Sequence, residues 1–181
     1  MDFSVDVKQQ ELIALAKTIA EKEIAPRALR IDTSGVMDEE LLEILKESGM
    51  TQLSVPKEYG GAGIDLLTGA LISEQLSKGC AGVATICAAN SLASFPILFA
   101  GSDMQKRDLF DCLNRGGMAC FALTEPGAGS DAGAVSCRAE KVEGGYILNG
   151  TKCFITNAPI ADKITLFANT REGGGIRGLT V

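Results

Sequence analysis

The stretch FALTEPGAGSDAG at 121–133 places small residues, two hydroxyls and two carboxylates directly after an apolar run. Glu125 precedes a proline, which holds it extended and turns the chain. Residues 127–129 then leave backbone N–H groups uncovered, and Ser130 adds a hydroxyl donor, a combination that suits a diphosphate. Asp131 would repel phosphate, so we expect it to hold the turn through an Asx-type hydrogen bond. The stretch therefore predicts the binding of a phosphorylated cofactor.

An ordinary Gly-rich connection between strands explains the same stretch equally well. Gly127, Gly129 and Gly133 lack the G-x-G-x-x-G spacing of a dinucleotide fingerprint, and predicted strands flank them on both sides. A P-loop also fails, because the glycines at 145 and 150 are followed by Thr-Lys in the wrong order, within a predicted hairpin. A cofactor site and a plain turn both remain open from this stretch alone.

The stretch LNGTKCFITNA could contribute to the same chemistry. In a strand, Phe154 and Thr156 would share one face while Cys153 and Ile155 would share the other. An aromatic ring and a hydroxyl on one face could flank a planar ligand ring and hydrogen-bond to its edge. The alternative is a core phenylalanine with a threonine at the end of the strand.

Composition excludes several classes of function. Histidine is absent and the six cysteines form no C-x-x-C pair, which excludes Ser-His and Cys-His catalysis and predicts no metal site. The N-terminus resembles neither a signal nor a transit peptide, so we expect reduced, mostly buried thiols and a cytoplasmic location. The net charge of −6, with scattered basic residues, predicts no nucleic-acid partner.

Apolar residues recur with helical spacing before residue 117, which predicts five helices. Asp6 with Gln9, and Ser102 with Gln105, have the capping-box spacing that marks the start of the first and the last helix. Pro26 is expected to end or bend the first helix.

From residue 117 onward, short apolar segments alternate with turn residues, which predicts an antiparallel sheet. Asn149-Gly150 is expected to form a hairpin between YIL and TKCFIT, and REGGG a later turn. A sheet needs further strands to cover both faces, so we expect the natural chain to continue beyond Val181. The predicted fold class is α+β: an all-α helical bundle, residues 1–116, followed by an antiparallel β domain, residues 117–181, that is truncated.

The uncharged segment 79–102 is long enough to span a bilayer. Asn90, Ser91, Ser94 and Pro96 interrupt it, and it is rich in Ala, Gly and Cys rather than Leu and Ile. We therefore expect a helix buried on all sides in a soluble bundle, and no membrane span.

LTEPGAGSD at 123–131 and NGTKCFITN at 149–157 together resemble the acyl-CoA dehydrogenase family of flavoproteins. In the helical half, VPKEYGGAGID and AANSLASFPI are similar to the N-terminal domain of that family, so the resemblance covers essentially the whole chain. It implies FAD, bound noncovalently between a β domain and helical domains, and α,β-desaturation of an acyl-CoA thioester.

The resemblance also assigns residues to the cofactor. It implies that Thr124 lies near the isoalloxazine edge and that Ser130 binds at the pyrophosphate and the acyl-CoA. Phe154 stands where many members have tryptophan, and the helix at 88–96 builds part of the pocket floor. The residues placed at the cofactor are Phe121, Leu123, Thr124, Gly129, Ser130, Phe154, Ile155 and Thr156.

The catalytic base is not assigned to any residue of this sequence. Removal of a weakly acidic α-proton requires a carboxylate, and the resemblance places that glutamate in a helical domain beyond residue 181. It further implies an electron-transfer flavoprotein as partner and a homotetramer. A reductase or an oxidase of the same fold, and a noncatalytic binding module, are the alternatives.

Overall fold

The computed structural model describes residues 4–171 and 173–181. Residues 1–3 of the predicted helical domain and Glu172 of the predicted REGGG turn lie outside the described residues. The five predicted helices are present, the first of them in two pieces. The helices are α1 (Val7–Ile19), α2 (Ala25–Ser34), α3 (Glu39–Glu47), α4 (Leu66–Gly79), α5 (Ala81–Ala100) and α6 (Asp103–Asn114).

Side-chain caps determine where the first and last helices begin. Both predicted capping boxes are confirmed: the side chain of Asp6 accepts from the N–H of Gln9 and the reverse bond is also made, and Ser102 and Gln105 do the same. Each box satisfies two N–H groups that a helix start leaves unpaired. The amide of Gln9 also donates to the carboxylate of Asp65 at 2.8 Å, which joins the start of α1 to the start of α4.

Pro26 does not end the first helix, contrary to one predicted outcome. A single π-helical turn, Ala20–Ile24, joins α1 to α2, and the N–H of Ala25 donates to the carbonyl of Ala20. Pro26 then falls in the first turn of α2, the part of a helix that tolerates proline best. The wider turn accommodates the proline, and the chain stays helical through Ser34.

Helix α5 lies at the centre of the helical part but is not buried on all sides, so that prediction is wrong. Leu92 and Phe99 are 49% and 80% exposed. Among the described residues, α5 is long and apolar enough to cross a membrane by length and composition. Its buried face packs against α4, α6 and the first strand. The buried residues are Val83, Ala84, Cys87, Ala89, Asn90, Ala93 and Ser94.

In the part of the chain that the structure describes, six short strands form two sheets. They are β1 (Ala119–Ala122), β2 (Arg138–Val142), β3 (Gly145–Asn149), β4 (Lys163–Leu166), β5 (Ala168–Asn169) and β6 (Leu179–Thr180). β1 pairs with β4 in parallel, with Cys120 opposite Ile164. The second sheet has the order β3-β2-β5-β6, in which β2 is antiparallel to β3 and parallel to β5. The α+β class is confirmed, but the pairing is mixed, because the long excursion between β1 and β4 allows a parallel crossover.

The predicted hairpin at Asn149-Gly150 is wrong. The observed hairpin joins β2 to β3 at residues 143–144, where Gly144 has a φ of +81°. Gly150 instead lies against Cys137, since a Cβ at position 150 would come within 2.7 Å of the Cys137 Cα. Close backbone approach, rather than a turn, therefore requires the glycine. The TKCFIT segment that follows is not a strand.

Two buried asparagines join the helical part to the first sheet. Asn90 of α5 accepts from the N–H of Ala119 at 2.7 Å and donates to the carbonyl of Thr51 at 2.9 Å. Asn157 donates to the carbonyls of Ile86 at 2.9 Å and Ala119 at 3.2 Å. Buried backbone groups need hydrogen-bond partners, so these two amides hold the helix and the sheet in one register.

We expect the Asn90→Ala substitution to lower the free energy of unfolding by about 2–4 kcal/mol, because it leaves the Ala119 N–H and the Thr51 carbonyl buried without a partner. Asn114→Ala is the matched control: Asn114 is exposed and donates to the carbonyl of Tyr59, so its loss should cost about 1 kcal/mol or less. Urea denaturation measures both variants. Equal losses would contradict the role of Asn90 at the junction.

Candidate cofactor and acyl-binding site

Phe154 combines an uncommon backbone conformation with high exposure. Its φ is +56°, in the left-handed region, and Phe154 is 92% exposed. A bulky residue other than glycine rarely adopts positive φ, and such outliers persist only where the surrounding structure holds them. The segment therefore presents an aromatic platform to the outside of the molecule.

The strand predicted for TKCFIT is wrong, although exposure still alternates along the segment. Phe154 and Thr156 are exposed, while Cys153 and Ile155 are partly buried. The exposure of Phe154 rules out the alternative of a core phenylalanine. The N–H of Cys153 donates to the carbonyl of Thr124 at 3.0 Å, so the segment is attached to the residues that follow β1.

The Gly-rich turn is closed by its own backbone. Glu125 and Ala128 exchange N–H···O bonds of 3.0 and 3.1 Å, and Ala128 is buried. The N–H of Ala128 is therefore not open to a phosphate, which corrects the prediction. Gly127, Gly129 and Ser130 are exposed, and a Cβ on either glycine would meet no atom within 4 Å. Fewer backbone N–H groups are open to a phosphate than predicted: those of the two glycines, beside the hydroxyl of Ser130.

The predicted Asx-type bond is confirmed. The carboxylate of Asp131 accepts from the N–H of Gly133 at 3.0 Å. This bond caps the short 3-10 helix Ala132–Ala134, which carries the chain from the Gly-rich turn toward β2. Asp131 therefore holds the turn.

A buried ion pair between the two stretches was missed by the sequence reasoning. Glu125 is 4% exposed and accepts from Lys152 Nζ at 2.8 Å. It also accepts from the N–H and the hydroxyl of Ser136, each at 2.7 Å, and from the N–H of Cys137 at 2.9 Å. Lys152 Nζ donates in addition to the carbonyl of Leu123 at 2.9 Å. The sequence did contain a hint of this ion pair: one lysine in LNGTKCFITNA and two acidic residues in FALTEPGAGSDAG.

Hydrogen bonding sets the pKa of Glu125. Burial opposes the ionised form and would raise the pKa. Hydrogen bonds from the side chains of Lys152 and Ser136 and from the amides of Ser136 and Cys137 outweigh burial and lower the pKa from 4.5 to about 2. Glu125 is therefore ionised at neutral pH and anchors the chain; it is not placed to exchange a proton with a ligand.

The end of β1 supplies the other predicted cofactor contacts. Phe121 is half-buried, and its ring centroid lies 5.0 Å from that of Phe167. Leu123 packs against a small cluster that includes Ala128. Thr124 carries the carbonyl that binds Cys153. The structure thus brings residues 121–124 beside the Phe154 segment, whereas Ser130 lies on the exposed part of the Gly-rich turn.

A cavity of about 940 Å³ lies between α4 and α5. Ala88, Ser91 and Phe95 line it, so the helical segment expected to form a pocket floor does face a cavity. The rings of Phe95 and Phe99 stack with centroids 6.3 Å apart and form an aromatic side to this space. A largely apolar cavity of this size suits a hydrocarbon chain or ring.

The cysteines contribute no evident chemistry to either region. All six are unpaired and four are buried. Burial raises the pKa of the Cys87 thiol to about 12, so this residue of the cavity is protonated at neutral pH and is not a nucleophile.

Comparison with known proteins connects these features. The chain matches the family model described as acyl-CoA dehydrogenase, N-terminal domain, over residues 6–117. It matches the acyl-CoA dehydrogenase middle domain over residues 120–181. The chain belongs to the acyl-CoA dehydrogenase family. The resemblance carried by LTEPGAGSD and NGTKCFITN is confirmed, while the boundary at residues 116 and 117 stays a prediction.

Relatives of this acyl-CoA dehydrogenase family member include reductases and dehydrogenases. The 3-(aryl)acrylate reductase of Clostridium sporogenes (strain ATCC 15579) is 44% identical over 177 residues, which are 96% of this chain and 47% of the relative. Butyryl-CoA dehydrogenase from Megasphaera elsdenii has a TM-score of 0.88 at 38% identity, over 99% of this chain and 49% of that one. PigA with FAD and proline has a TM-score of 0.84 at 34% identity, over 99% and 48%. The chain spans about half the length of the relatives that it matches.

We expect Glu125 to make the stability of this family member sensitive to acid. Its folded-state pKa of about 2 lies below the ordinary 4.5, so the ionised carboxylate stabilises the fold above pH 4.5. That stabilisation is lost as the pH falls from about 4.5 to 2. The shift corresponds to about 3 kcal/mol. Glu125→Gln should be less stable than wild type at pH 6 and should lose less stability over the same acid range.

Thermal denaturation between pH 6 and pH 2 measures this dependence. Glu74→Gln is the control, because Glu74 forms an exposed ion pair with Lys78 at 3.1 Å and should keep the wild-type acid slope. A wild-type slope in Glu125→Gln would show that another carboxylate controls the acid response.

Proposed function

We propose that the protein is an FAD-dependent oxidoreductase that desaturates acyl-CoA thioesters between the α- and β-carbons. One observation carries the proposal: Phe154 is an exposed aromatic residue at positive φ, attached through Cys153 to Thr124 at the end of β1. A planar ligand stacked on this ring would remove a large apolar surface from water. The similarity to PigA with FAD supports a flavin as that ligand.

Three short segments are assigned to the cofactor. The Gly-rich turn offers open backbone at Gly129 and the Ser130 hydroxyl to a diphosphate. Phe154 offers its face to the planar ring, and the exposed Thr156 offers a hydroxyl to the ring edge. When bound, FAD accepts the hydride that leaves the β-carbon of the substrate. The assigned residues are Phe121, Leu123, Thr124, Gly129, Ser130, Phe154, Ile155 and Thr156.

The acyl group of the substrate is assigned to the cavity between α4 and α5. The cavity is largely apolar, and Ala88, Ser91 and Phe95 face it, so these side chains select the acyl group. Ser130 is assigned a second contact, to the acyl-CoA, because its hydroxyl lies exposed on the Gly-rich turn.

The base that takes the α-proton is assigned to the part of the relatives that extends beyond the match. Glu125, the carboxylate of the candidate cofactor site, already accepts four hydrogen bonds and stays ionised with no room for a substrate proton. A general base must lie within hydrogen-bond reach of the proton that it removes. The described residues therefore serve binding and orientation.

A reductase working in the opposite direction is the second candidate, because the 44% identical relative is a 3-(aryl)acrylate reductase. We further propose an electron-transfer flavoprotein as the redox partner and a homotetrameric assembly, both by analogy with the family. A cytoplasmic location is proposed as well, which the six unpaired cysteines support.

The complete gene product should be yellow with bound FAD and should bleach on anaerobic addition of a saturated acyl-CoA. A panel of acyl-CoA and 2-enoyl substrates, with the absorbance of oxidised flavin as the readout, measures the direction of the reaction. Faster oxidation of the reduced protein by an aryl-acrylate substrate would favour the reductase. A colourless protein that takes up no FAD would contradict both candidates.

We expect Ala88→Phe to reduce the volume available to the acyl group, because Ala88 lines the cavity and is exposed to it. The kcat/KM for a long-chain acyl-CoA should fall at least about tenfold relative to a short one, which corresponds to about 1.4 kcal/mol of lost binding. Ser77→Phe adds the same ring at an exposed position of α4 outside the cavity lining and should leave the ratio unchanged. An unchanged ratio in Ala88→Phe would place the acyl group elsewhere.

A further inference from the structure

The Phe154 segment is attached to the rest of the molecule at both of its ends. On one side, Lys152 donates to Glu125 and to the carbonyl of Leu123, and Cys153 donates to Thr124. On the other side, Asn157 is buried and donates to the carbonyls of Ile86 and Ala119. Only a few residues separate these anchors, so the backbone at Phe154 has little freedom to change conformation.

We propose that the buried Glu125–Lys152 pair is a positioning device that holds the ring of Phe154 in the orientation required for stacking on the flavin. This inference rests on the proposed function. Lys152 precedes Phe154 by two residues, and its side chain is 9% exposed. The partner carboxylate, 2% exposed, belongs to the turn assigned to the diphosphate. The pair therefore fixes the aromatic platform relative to the diphosphate-binding turn.

The geometry assigns different tasks to the two charges. Glu125 binds Ser136 and Cys137 as well as Lys152, so the carboxylate keeps three donors even without the lysine. Lys152 connects this carboxylate to the segment that carries Phe154. Removal of the lysine charge should therefore loosen the Phe154 segment more than the Gly-rich turn.

Lys152→Met tests this division, because methionine keeps most of the side-chain length and loses the donor. Lys152→Arg restores a cation and should recover most of the wild-type behaviour. Lys78→Met is the matched control: Lys78 forms an exposed pair with Glu74 at 3.1 Å, on α4 and outside the cavity lining. Thermal denaturation of each variant records changes in stability separately from the effects on the flavin.

The flavin readout is a double-substitution cycle in the complete holoprotein, using the visible circular dichroism of FAD and its dissociation constant. Phe154→Ala should alter the flavin spectrum and weaken FAD binding about tenfold, the effect of losing one stacking contact. Lys152→Met should reproduce that change, and should add little to it in the Phe154→Ala background. Independent, additive effects in the two backgrounds would overturn the positioning role and leave the flavin assignment intact.

The second readout needs no flavin. Hydrogen exchange of the cofactor-free protein should show faster exchange at the Cys153 amide in Lys152→Met than in wild type, Lys152→Arg or Lys78→Met, because its bond to Thr124 is no longer supported. Unchanged exchange at this amide would overturn the inference. If the wild-type protein takes up no FAD, the proposed function fails, and this exchange experiment alone decides whether Lys152 holds the segment.

Discussion

A single buried carboxylate determines the shape of the candidate cofactor site. An ionised group removed from water must be paired and hydrogen-bonded, or the fold loses more than it gains. Glu125 meets this requirement with four hydrogen bonds from Lys152 and from the adjacent residues Ser136 and Cys137, two separate parts of the sequence. The Gly-rich turn, the approach to β2 and the Phe154 segment therefore have to meet at one point. The rest of the site follows from that meeting.

The helical part and the strands depend on a second polar junction of the same kind. Asn90 and Asn157 form hydrogen bonds to backbone groups of α5, of β1 and of the loop between α3 and α4. The hydroxyl of Thr165 in β4 also donates to the carbonyl of Ala93 at 2.7 Å. Apolar packing alone tolerates small sliding between a helix and a sheet, whereas these bonds allow one register. The candidate acyl cavity and the candidate flavin site are consequently held in a defined relation by α5.

Local sequence patterns predicted where the helices and most of the strands lie better than they predicted how the strands pair. Capping boxes act between neighbours in the chain, so Asp6 and Ser102 marked the helix starts correctly. Gly150 was taken for a turn glycine because its reason for being glycine, the approach of Cys137, is a contact between distant residues. The same limit applies to Pro26, whose π-helical turn no local rule indicates.

The candidate site shows the same division between local and distant causes. The Asx bond of Asp131 joins residues two positions apart and was predicted from the sequence. The ion pair of Glu125 with Lys152 and the positive φ of Phe154 were not, since both arise from the meeting of segments that are far apart in the chain. The resemblance assigned residues of both stretches to a cofactor, while the structure supplied the contact that joins the lysine of one stretch to the glutamate of the other.

The two faces of α5 have a consequence for how proteins with this architecture diversify. Asn90, Ala93 and Ser94 are buried in the packed interior, whereas Ala88, Ser91 and Phe95 of the same helix line the cavity between α4 and α5. Helical periodicity interleaves these two sets along the helix, and Cys87, which is buried and also lines the cavity, belongs to both. The side chains that line the cavity can therefore change on one side of a single helix while the packed contacts on its other side stay intact.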